Sequence, residues 1–216
     1  PTDMGVNMAG NCICDDEACR EASGQEIIRR YYAALNDLLK GTCSEEPAQK
    51  IELLMNQAGV TIQDRKVVAA ALNRAQETQS PAAALELPDG RIITGKTSNL
   101  LGASAALLLN VLKELAGLGH ELHIISPEAI EPIQKLKVDY LKSRNPRLHT
   151  DEVLIALSTS AAANEDARLA LEQLPKLHGC QAHTSVMLSD VDIKTFQKLG
   201  VQLTCESVYE SGHGYY

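Results

Sequence analysis

The sequence predicts an α/β protein in two parts: a small all-helical subdomain over residues 1–80, then a three-layer α/β/α domain with a mixed sheet over residues 81–210. Before Pro81, apolar residues recur every three or four positions, which is the spacing of amphipathic helices. After Pro81, short apolar runs alternate with helical patterns of ten or more residues, which is typical of an α/β layer. These runs are nearly all apolar, as strands covered on both faces should be. Residues 211–216 are predicted to form a disordered tail.

The first 80 residues contain three predicted helices. Residues 15–39 carry a helical apolar pattern that ends before Gly41, a residue type common at helix C-termini. A second helix begins near Pro47 and ends at Gly59, and a third covers residues 61–79.

The second part begins with a hairpin. The predicted elements, in order, are strands 83–87 and 91–95, helix 98–116, strand 122–125, helix 128–142, strand 153–157, helix 164–177, strand 182–188, helix 190–199 and strand 201–204.

Residues 90–97, GRIITGKT, match the phosphate-loop pattern GxxxxGK[ST]. A phosphate loop must bend sharply so that its amides surround a phosphate, and small residues make that bend easy. The variable positions here include Ile92 and Ile93, whose branched side chains suit an extended strand. Residues 88–90, Pro-Asp-Gly, are strong turn formers. We therefore favour a hairpin in which Gly90 belongs to the turn.

The end of this segment still indicates an anion site. Thr97, Ser98 or Asn99 is predicted to cap the next helix, whose free amides and dipole favour negative charge. Lys96 lies beside that helix start. The simpler alternative is an ordinary N-cap with a solvated lysine.

Residues 145–152, NPRLHTDE, form the densest group of chemically active side chains. Arg147 could bind a carboxylate or phosphate. His149 could transfer protons near neutral pH, and Asp151 is a second, weaker catalytic candidate. The alternative is that Thr150 or Asp151 only ends the loop. By contrast, His183 falls inside a predicted strand, which favours a structural histidine.

Composition narrows the choice of partners. The net charge is −8, which argues against binding to nucleic acid or to anionic membranes. No apolar run is long enough to span a bilayer, and the N-terminus lacks the basic start and apolar stretch of a signal peptide, so we expect a cytoplasmic protein. The first residue is Pro1 rather than Met, which suggests a piece of a longer chain.

Four of the six cysteines lie near the N-terminus: Cys12, Cys14, Cys19 and Cys43. Zinc sites use paired spacings such as CxxC together with a second pair, and this spacing is different. Free thiols are therefore predicted, with no metal.

Residues 83–116 resemble the start of a cytidine deaminase, because a DGR-type hairpin and a TG step lead into a helix. The resemblance implies a cytidine-deaminase-like topology. That family ligates zinc through a His or Cys followed by Ala-Glu on this helix and a Pro-Cys-x-x-Cys pair on the next one. The first helix here offers Ala, Ser and Leu, and the next begins Glu128-Ala129-Ile130. The resemblance thus implies the fold without deaminase activity.

A second resemblance covers nearly the whole chain. The segments that carry it are PTDMGVNMAG, QEIIRRYY, LELPDGRIITGKTS, ISPEAIEPIQKLK and NPRLHTDEVLIALS. They are similar to the C-terminal half of an uncharacterised bacterial family, a domain of unknown function whose members are about twice as long. Those members carry a glycine-rich, phosphate-loop-like segment in their N-terminal half, which implies that a nucleotide site would lie mainly there. The N-terminal thiols of this chain depart from the family pattern.

Two functions follow as hypotheses. The chain could supply the anion- or phosphate-binding half of a composite nucleotide-related enzyme site, completed by the N-terminal half of its own full-length protein. Alternatively, it could be a non-catalytic scaffold that forms homo-oligomers. The reaction and any cofactor stay open at this point.

Overall fold

A computed structural model describes residues 16–210. The chain divides into two compact units, Pro1–Arg65 and Lys66–Tyr216, and each is described by itself. The predicted tail at 211–216 and the first 15 residues lie outside the described part.

The helical unit contains α1 (Asp16–Leu39) and α2 (Glu46–Ala58), which pack on each other, followed by a 3₁₀ turn at Ile62–Asp64. Pro47 occupies the first turn of α2, where its missing N–H costs nothing, and Gly59 ends the helix at a φ of 66°. Both helices were predicted from the sequence and are confirmed.

The second unit begins with α3, which starts where the first unit ends. Its elements are α3 (Lys66–Thr78), β1 (Ala82–Glu86), β2 (Ile92–Lys96), α4 (Ala103–Leu115), α5 (Pro127–Lys135), a π-helical turn (Leu136–Tyr140), α6 (Thr150–Ser160), α7 (Glu165–Leu171), a 3₁₀ turn (Leu174–Leu177), β3 (Gln181–Thr184), α8 (Asp190–Lys198) and β4 (Gln202–Cys205).

The sheet has four strands in the order β2-β1-β3-β4. Strand β1 is antiparallel to both of its neighbours, and β3 is parallel to β4, so the sheet is mixed as predicted. Alternate side chains of β1 are buried on opposite faces. Ala84 packs against Val67 and Ala71 of α3, whereas Ala83 and Leu85 belong to the large core on the other face. Helices therefore cover both faces, and the three-layer arrangement is confirmed.

The hairpin prediction for GRIITGKT is confirmed. Gly90 has a φ of 83° in the turn, and the N–H of Leu87 donates to the carbonyl of Arg91 at 2.8 Å. Gly95 has a different role, because a Cβ placed there would lie 2.2 Å from the backbone nitrogen of Leu107. It allows α4 to lie directly on β2. The phosphate-loop alternative is therefore wrong.

Two predicted strands are wrong. Residues 153–157 lie inside α6, and residues 122–125 form no strand, although Ile124 and Ile125 are buried. A short apolar run has no periodicity that separates a buried strand from one side of a helix. The order hairpin, helix, strand, helix, strand, helix, strand, on which the deaminase resemblance relied, is consequently not observed, and that topology stays a prediction.

The start of α4 and the boundary between the two units also differ from the predictions. Helix α4 begins at Ala103 with Gly102 as its N-cap, so none of residues 97–99 caps it. Helix α3 packs on β1, β2 and β3, and it belongs to the α/β unit because its buried face covers the sheet. The sequence places the boundary at residue 80, whereas the compact units divide after Arg65.

Candidate functional site

Strands β2, β3 and β4 run in one direction, so their carboxyl ends meet at one edge of the sheet. We call this the carboxyl edge; Thr97, Ser185 and Glu206 directly follow the three strands. Ligands of open α/β sheets gather at such edges. Residues at the starts of α4, α6 and α8 line one concavity there, so three helix N-termini direct partial positive charge to the same place.

A short backbone bridge joins two segments at this edge. Leu101 pairs in parallel with Leu148, and the N–H of Gly102 donates to the carbonyl of Leu148 at 3.3 Å. The N–H of Leu148 donates in turn to the carbonyl of Leu100 at 2.9 Å. The predicted loop 145–152 therefore lies beside the segment that follows β2.

His149 and Asp192 form the central pair of the site. The Nδ1 atom of His149 lies 2.9 Å from Oδ2 of Asp192, which is 43 positions further along the chain. The imidazole is 24% exposed, whereas the carboxylate is 5% exposed. The ring is thus held on one side by a buried acid and is reached by solvent elsewhere.

Hydrogen bonds to both of its oxygens hold the Asp192 carboxylate in place. Its Oδ1 accepts hydrogen bonds from the backbone N–H and the hydroxyl of Thr150, both at 2.9 Å. Its Oδ2 also accepts from the Ser189 hydroxyl at 2.7 Å. With four bonds, this carboxylate cannot turn away, so it fixes the orientation of the His149 ring.

The contact between His149 and Asp192 shifts the pKa of both side chains. The hydrogen bond to Asp192, with its negative charge, raises the pKa of His149 above its usual value, against the opposing effects of burial and Lys137. Burial acts to raise the pKa of Asp192, but the hydrogen bond and charge of His149, with the bonds from Thr150 and Ser189, lower it overall. The charged pair, imidazolium with carboxylate, is favoured.

A buried lysine supports the loop before α6. Lys137 donates from Nζ to the carbonyl of Arg147 at 2.6 Å and to Oε2 of Glu152 at 2.7 Å. The same Glu152 oxygen accepts from the backbone N–H of His149 at 2.8 Å. This network fixes the backbone on both sides of Leu148, directly before His149.

Two concavities meet at Arg147. One is an open cleft of about 610 Å³, and the other is a small cavity of about 30 Å³ lined by Ser104, His149 and Asp192. Arg147 and Glu210 line both of them. Arg147 donates from Nη1 to Oε1 of Glu210 at 2.7 Å, so the cation at the junction is paired with a carboxylate of the same chain.

The structure brings most of the predicted site residues to this place. The cleft is lined by Thr97, Ser98, Asn99 and Arg147, and the small cavity by His149. Lys96 is exposed at the end of β2 and lines neither concavity, and Asp151 does not line them either. The binding and catalytic roles of all seven residues stay predictions.

Three residues of the site were not predicted: Ser104, Asp192 and Glu210. Asp192 follows Ser189 by three positions, which is a capping pattern, and Ser189 does cap α8 by accepting from the N–H of Asp192 at 3.2 Å. That pattern predicts a helix start but gives no sign of a histidine 43 positions away. Glu210 and Ser104 have no sequence pattern that marks them.

The cysteines do not form a metal site in the described part. Cys12 and Cys14 lie outside the described residues, while Cys19 is exposed and free. Among residues 16–210, no group of three or more His, Cys, Asp or Glu side chains is placed to hold a metal ion. Within the same range, no helix is long and apolar enough to cross a membrane.

Comparison with known proteins agrees with the second resemblance. Residues 63–215 match the family described as Domain of unknown function DUF1846, C-terminal, and residues 1–59 match its N-terminal counterpart. The chain belongs to this family. Residues 60–62 separate the two matches, and they lie just before the division of the two compact units after Arg65.

Relatives in the family are named UPF0371 proteins. One from Corynebacterium urealyticum is 58% identical over 209 residues, covering 97% of this chain and 42% of the relative. Another, from Streptococcus thermophilus, is 51% identical over 210 residues with the same coverage. The chain therefore spans less than half the length of these relatives. Neither the family description nor these names give an activity.

Proposed function

We propose that the α/β unit binds a small anionic ligand at the carboxyl edge and that His149 transfers a proton to or from it. The observation that carries this proposal is the His149–Asp192 pair at 2.9 Å beside an open cleft. A histidine held at Nδ1 by a buried carboxylate presents Nε2 in a fixed direction, as general acid–base catalysis requires.

Arg147 is the cation that we expect to bind the ligand. It is 22% exposed at the junction of the two concavities, and its partner Glu210 is 20% exposed. A ligand carboxylate or phosphate can take the place of Glu210, because both present oxygens that accept from the guanidinium. Thr97, Ser98 and Asn99 offer further polar groups along the cleft. Lys96, which lies outside it, contributes only to the surrounding field.

The site is proposed as one half of a composite, nucleotide-related enzyme site. The supporting fact is that the chain covers 42% of the length of a relative. The other half of the site would then come from the rest of the longer protein. We place this protein in the cytoplasm. In support, the described cysteines 19, 43, 180 and 205 form no disulfide with one another, which is the usual state in a reducing compartment.

A thermal-shift screen of nucleotides and phosphorylated metabolites on the full-length protein tests the proposal. A ligand that binds the native state raises the melting temperature by mass action. For each ligand found, Arg147→Ala should weaken binding by about tenfold or more, because a charge-assisted hydrogen bond is lost. The matched control is Arg168→Ala, which removes an arginine paired with Glu165 and Glu172 on the exposed side of α7. Equal effects of the two changes would reject Arg147 as the anion site.

His149→Gln separates binding from proton transfer. Glutamine keeps a polar side chain but does not titrate, so turnover should fall by about a hundredfold or more, which is well beyond the loss of ligand affinity expected from the missing positive charge. Unchanged turnover in this variant would reject the catalytic role of His149.

A second candidate, the oligomeric scaffold, is favoured by a different observation. The π-helical turn and the residue after it expose large apolar side chains: Leu136, Val138, Tyr140 and Leu141. Such exposure is typical of protein–protein contacts. Sedimentation of the protein and of Tyr140→Lys would test it, since a scaffold should dissociate while the anion site keeps its ligand.

A further inference from the structure

The N-terminus of α4 is open. Its N-cap is Gly102, which has no side chain to accept from the first-turn amides. The carbonyl of Gly102 accepts from the N–H of Ala106 at 2.9 Å. The amides of residues 103–105 form no hydrogen bond within the described part of the chain. Free amides at the start of a 13-residue helix favour an anion.

A second, independent observation is that two unpaired hydroxyls of buried residues line the cavity at this helix start. Ser104 is 3% exposed and Thr97 is 9% exposed, and both line the small cavity. Neither hydroxyl has a hydrogen-bond partner among residues 16–210. Neither oxygen is among the fully enclosed side-chain atoms that lack a partner, so both hydroxyls keep contact with the cavity and can bind a group that enters it.

The rest of the cavity wall is charged in a way that suits an oxyanion. His149 and Asp192 face it as a pair, and Arg147 and Glu210 form its boundary with the cleft. When the Glu210 carboxylate moves away, the three remaining side chains, His149, Asp192 and Arg147, carry a net positive charge while His149 is protonated. The volume of about 30 Å³ suits about two waters, or the oxygens of one oxyanion group.

We propose that the small cavity binds a terminal oxyanion of the ligand, phosphoryl or carboxylate, on the α4 amides and the hydroxyls of Ser104 and Thr97. The rest of the ligand then occupies the open cleft. That cleft is lined by polar residues, among them Gln76, Gln79 and Tyr209, and by apolar residues such as Leu72 and Val208. This mixture suits a sugar-like body, which has polar hydroxyls and an apolar ring face. The ligand class is therefore a small polar metabolite with one terminal oxyanion, and this rests on the proposed function of the same site.

The N-cap position allows a direct test. Gly102 has φ −67° and ψ 163°, which any residue adopts, and a Cβ there would meet nothing closer than 3.8 Å. Gly102→Asp and Gly102→Asn place an oxygen on the open amides, as N-cap residues do. Gly102→Ala leaves those amides open and serves as the matched control.

The measurement is the ¹H–¹⁵N spectrum of the 216-residue chain during titration with inorganic phosphate and, separately, with acetate. We expect saturable shifts of the amides of residues 103–105, and the tighter of the two probes distinguishes a phosphoryl from a carboxylate site. Gly102→Asp and Gly102→Asn should each weaken that probe by about tenfold or more, and Gly102→Ala by less than about threefold. A raised melting temperature in the capped variants would show that they are folded.

Three results would overturn the proposal. The first is no saturable shift of these amides with either probe. The second is unchanged affinity in both capped variants. The third is a loss of probe affinity in Gly102→Asp but not in Gly102→Asn. In that case the new charge would repel the probe from a distance, and the amides would not be its binding site. Failure of the proton-transfer function is separate, because His149→Gln would then leave turnover unchanged while these amides still bind the probe.

Discussion

His149 and His183 each lie within hydrogen-bond reach of a carboxylate, yet their surroundings differ. His183 is 0% exposed in β3, with Nδ1 at 2.8 Å from the Thr204 hydroxyl and Nε2 at 3.1 Å from Glu206. His149 is 24% exposed, uses Nδ1 for Asp192 and lines the small cavity. Both ring nitrogens of His183 have side-chain partners, whereas for His149 the described residues place partners only at Nδ1, so the two pairs differ in whether a ring nitrogen is available to a ligand.

The largest expected effect is at the buried histidine. His183→Ala removes a fully buried side chain, leaves a cavity in its place and breaks its contacts with Thr204 and Glu206, so the free energy of unfolding should fall by about 3 kcal/mol. Urea denaturation measures it. The exposed His123→Ala is the control and should change stability by less than about 0.5 kcal/mol. A small loss of unfolding free energy in His183→Ala would contradict a structural role for His183.

Replacing the acid beside His149 should have the next largest effect. Asp192→Asn keeps the size but removes the charge that accepts four hydrogen bonds, and we expect a loss of about 2 kcal/mol in unfolding free energy. Glu206→Gln, at a carboxylate that is 26% exposed, should cost less. The reverse order of the two losses, measured by the same denaturation, would show that the buried pair at the carboxyl edge is not the tighter one.

A smaller effect should appear in the pH dependence of stability. Because folding raises the pKa of His149, its stabilising contribution is complete below the unfolded value and disappears as pH rises through the folded value. The difference in unfolding free energy between the wild type and His149→Gln should therefore be largest below the usual histidine pKa and shrink over the pH range above it. A difference that is constant or grows over this range would contradict a charged pair in the folded state.

The smallest effect is expected at Lys96. This residue is exposed and lines neither concavity, so Lys96→Ala should change stability by less than about 0.5 kcal/mol. Phosphate affinity, measured by the amide shifts, should stay within about twofold of the wild type. A tenfold loss would return Lys96 to the anion site that the sequence alone suggested.

Local chemistry explains which elements were predictable. The hairpin followed from residues 88–90, whose turn chemistry is contained in three positions. The apolar side chains at 153–157 predict a strand. In the structure these residues lie in α6, and Glu152 accepts from the N–H of His149, as a side chain in the first turn of a helix does. That contact marks the start of α6, which the apolar run alone did not indicate.

The site itself was predictable only in part. Arg147 and His149 could be chosen because their loop concentrates reactive side chains. Asp192 and Glu210 could not, since they reach those residues across 43 and 63 positions through the packing of α8 and of the segment after β4. The sequence also does not predict the open start of α4. Thr97, Ser98 and Asn99 are better N-cap residues than Gly102, so the sequence places the helix start too early.

The most direct test is an NMR pH titration of the imidazole of His149 in the full-length protein, with and without saturating inorganic phosphate. The account predicts a pKa above the usual histidine value, a further rise when phosphate binds beside the ring, and a return toward the usual value in Asp192→Asn. A pKa that is not raised, or one that phosphate and the Asp192 change both leave unmoved, would contradict an anion-binding, proton-transferring site.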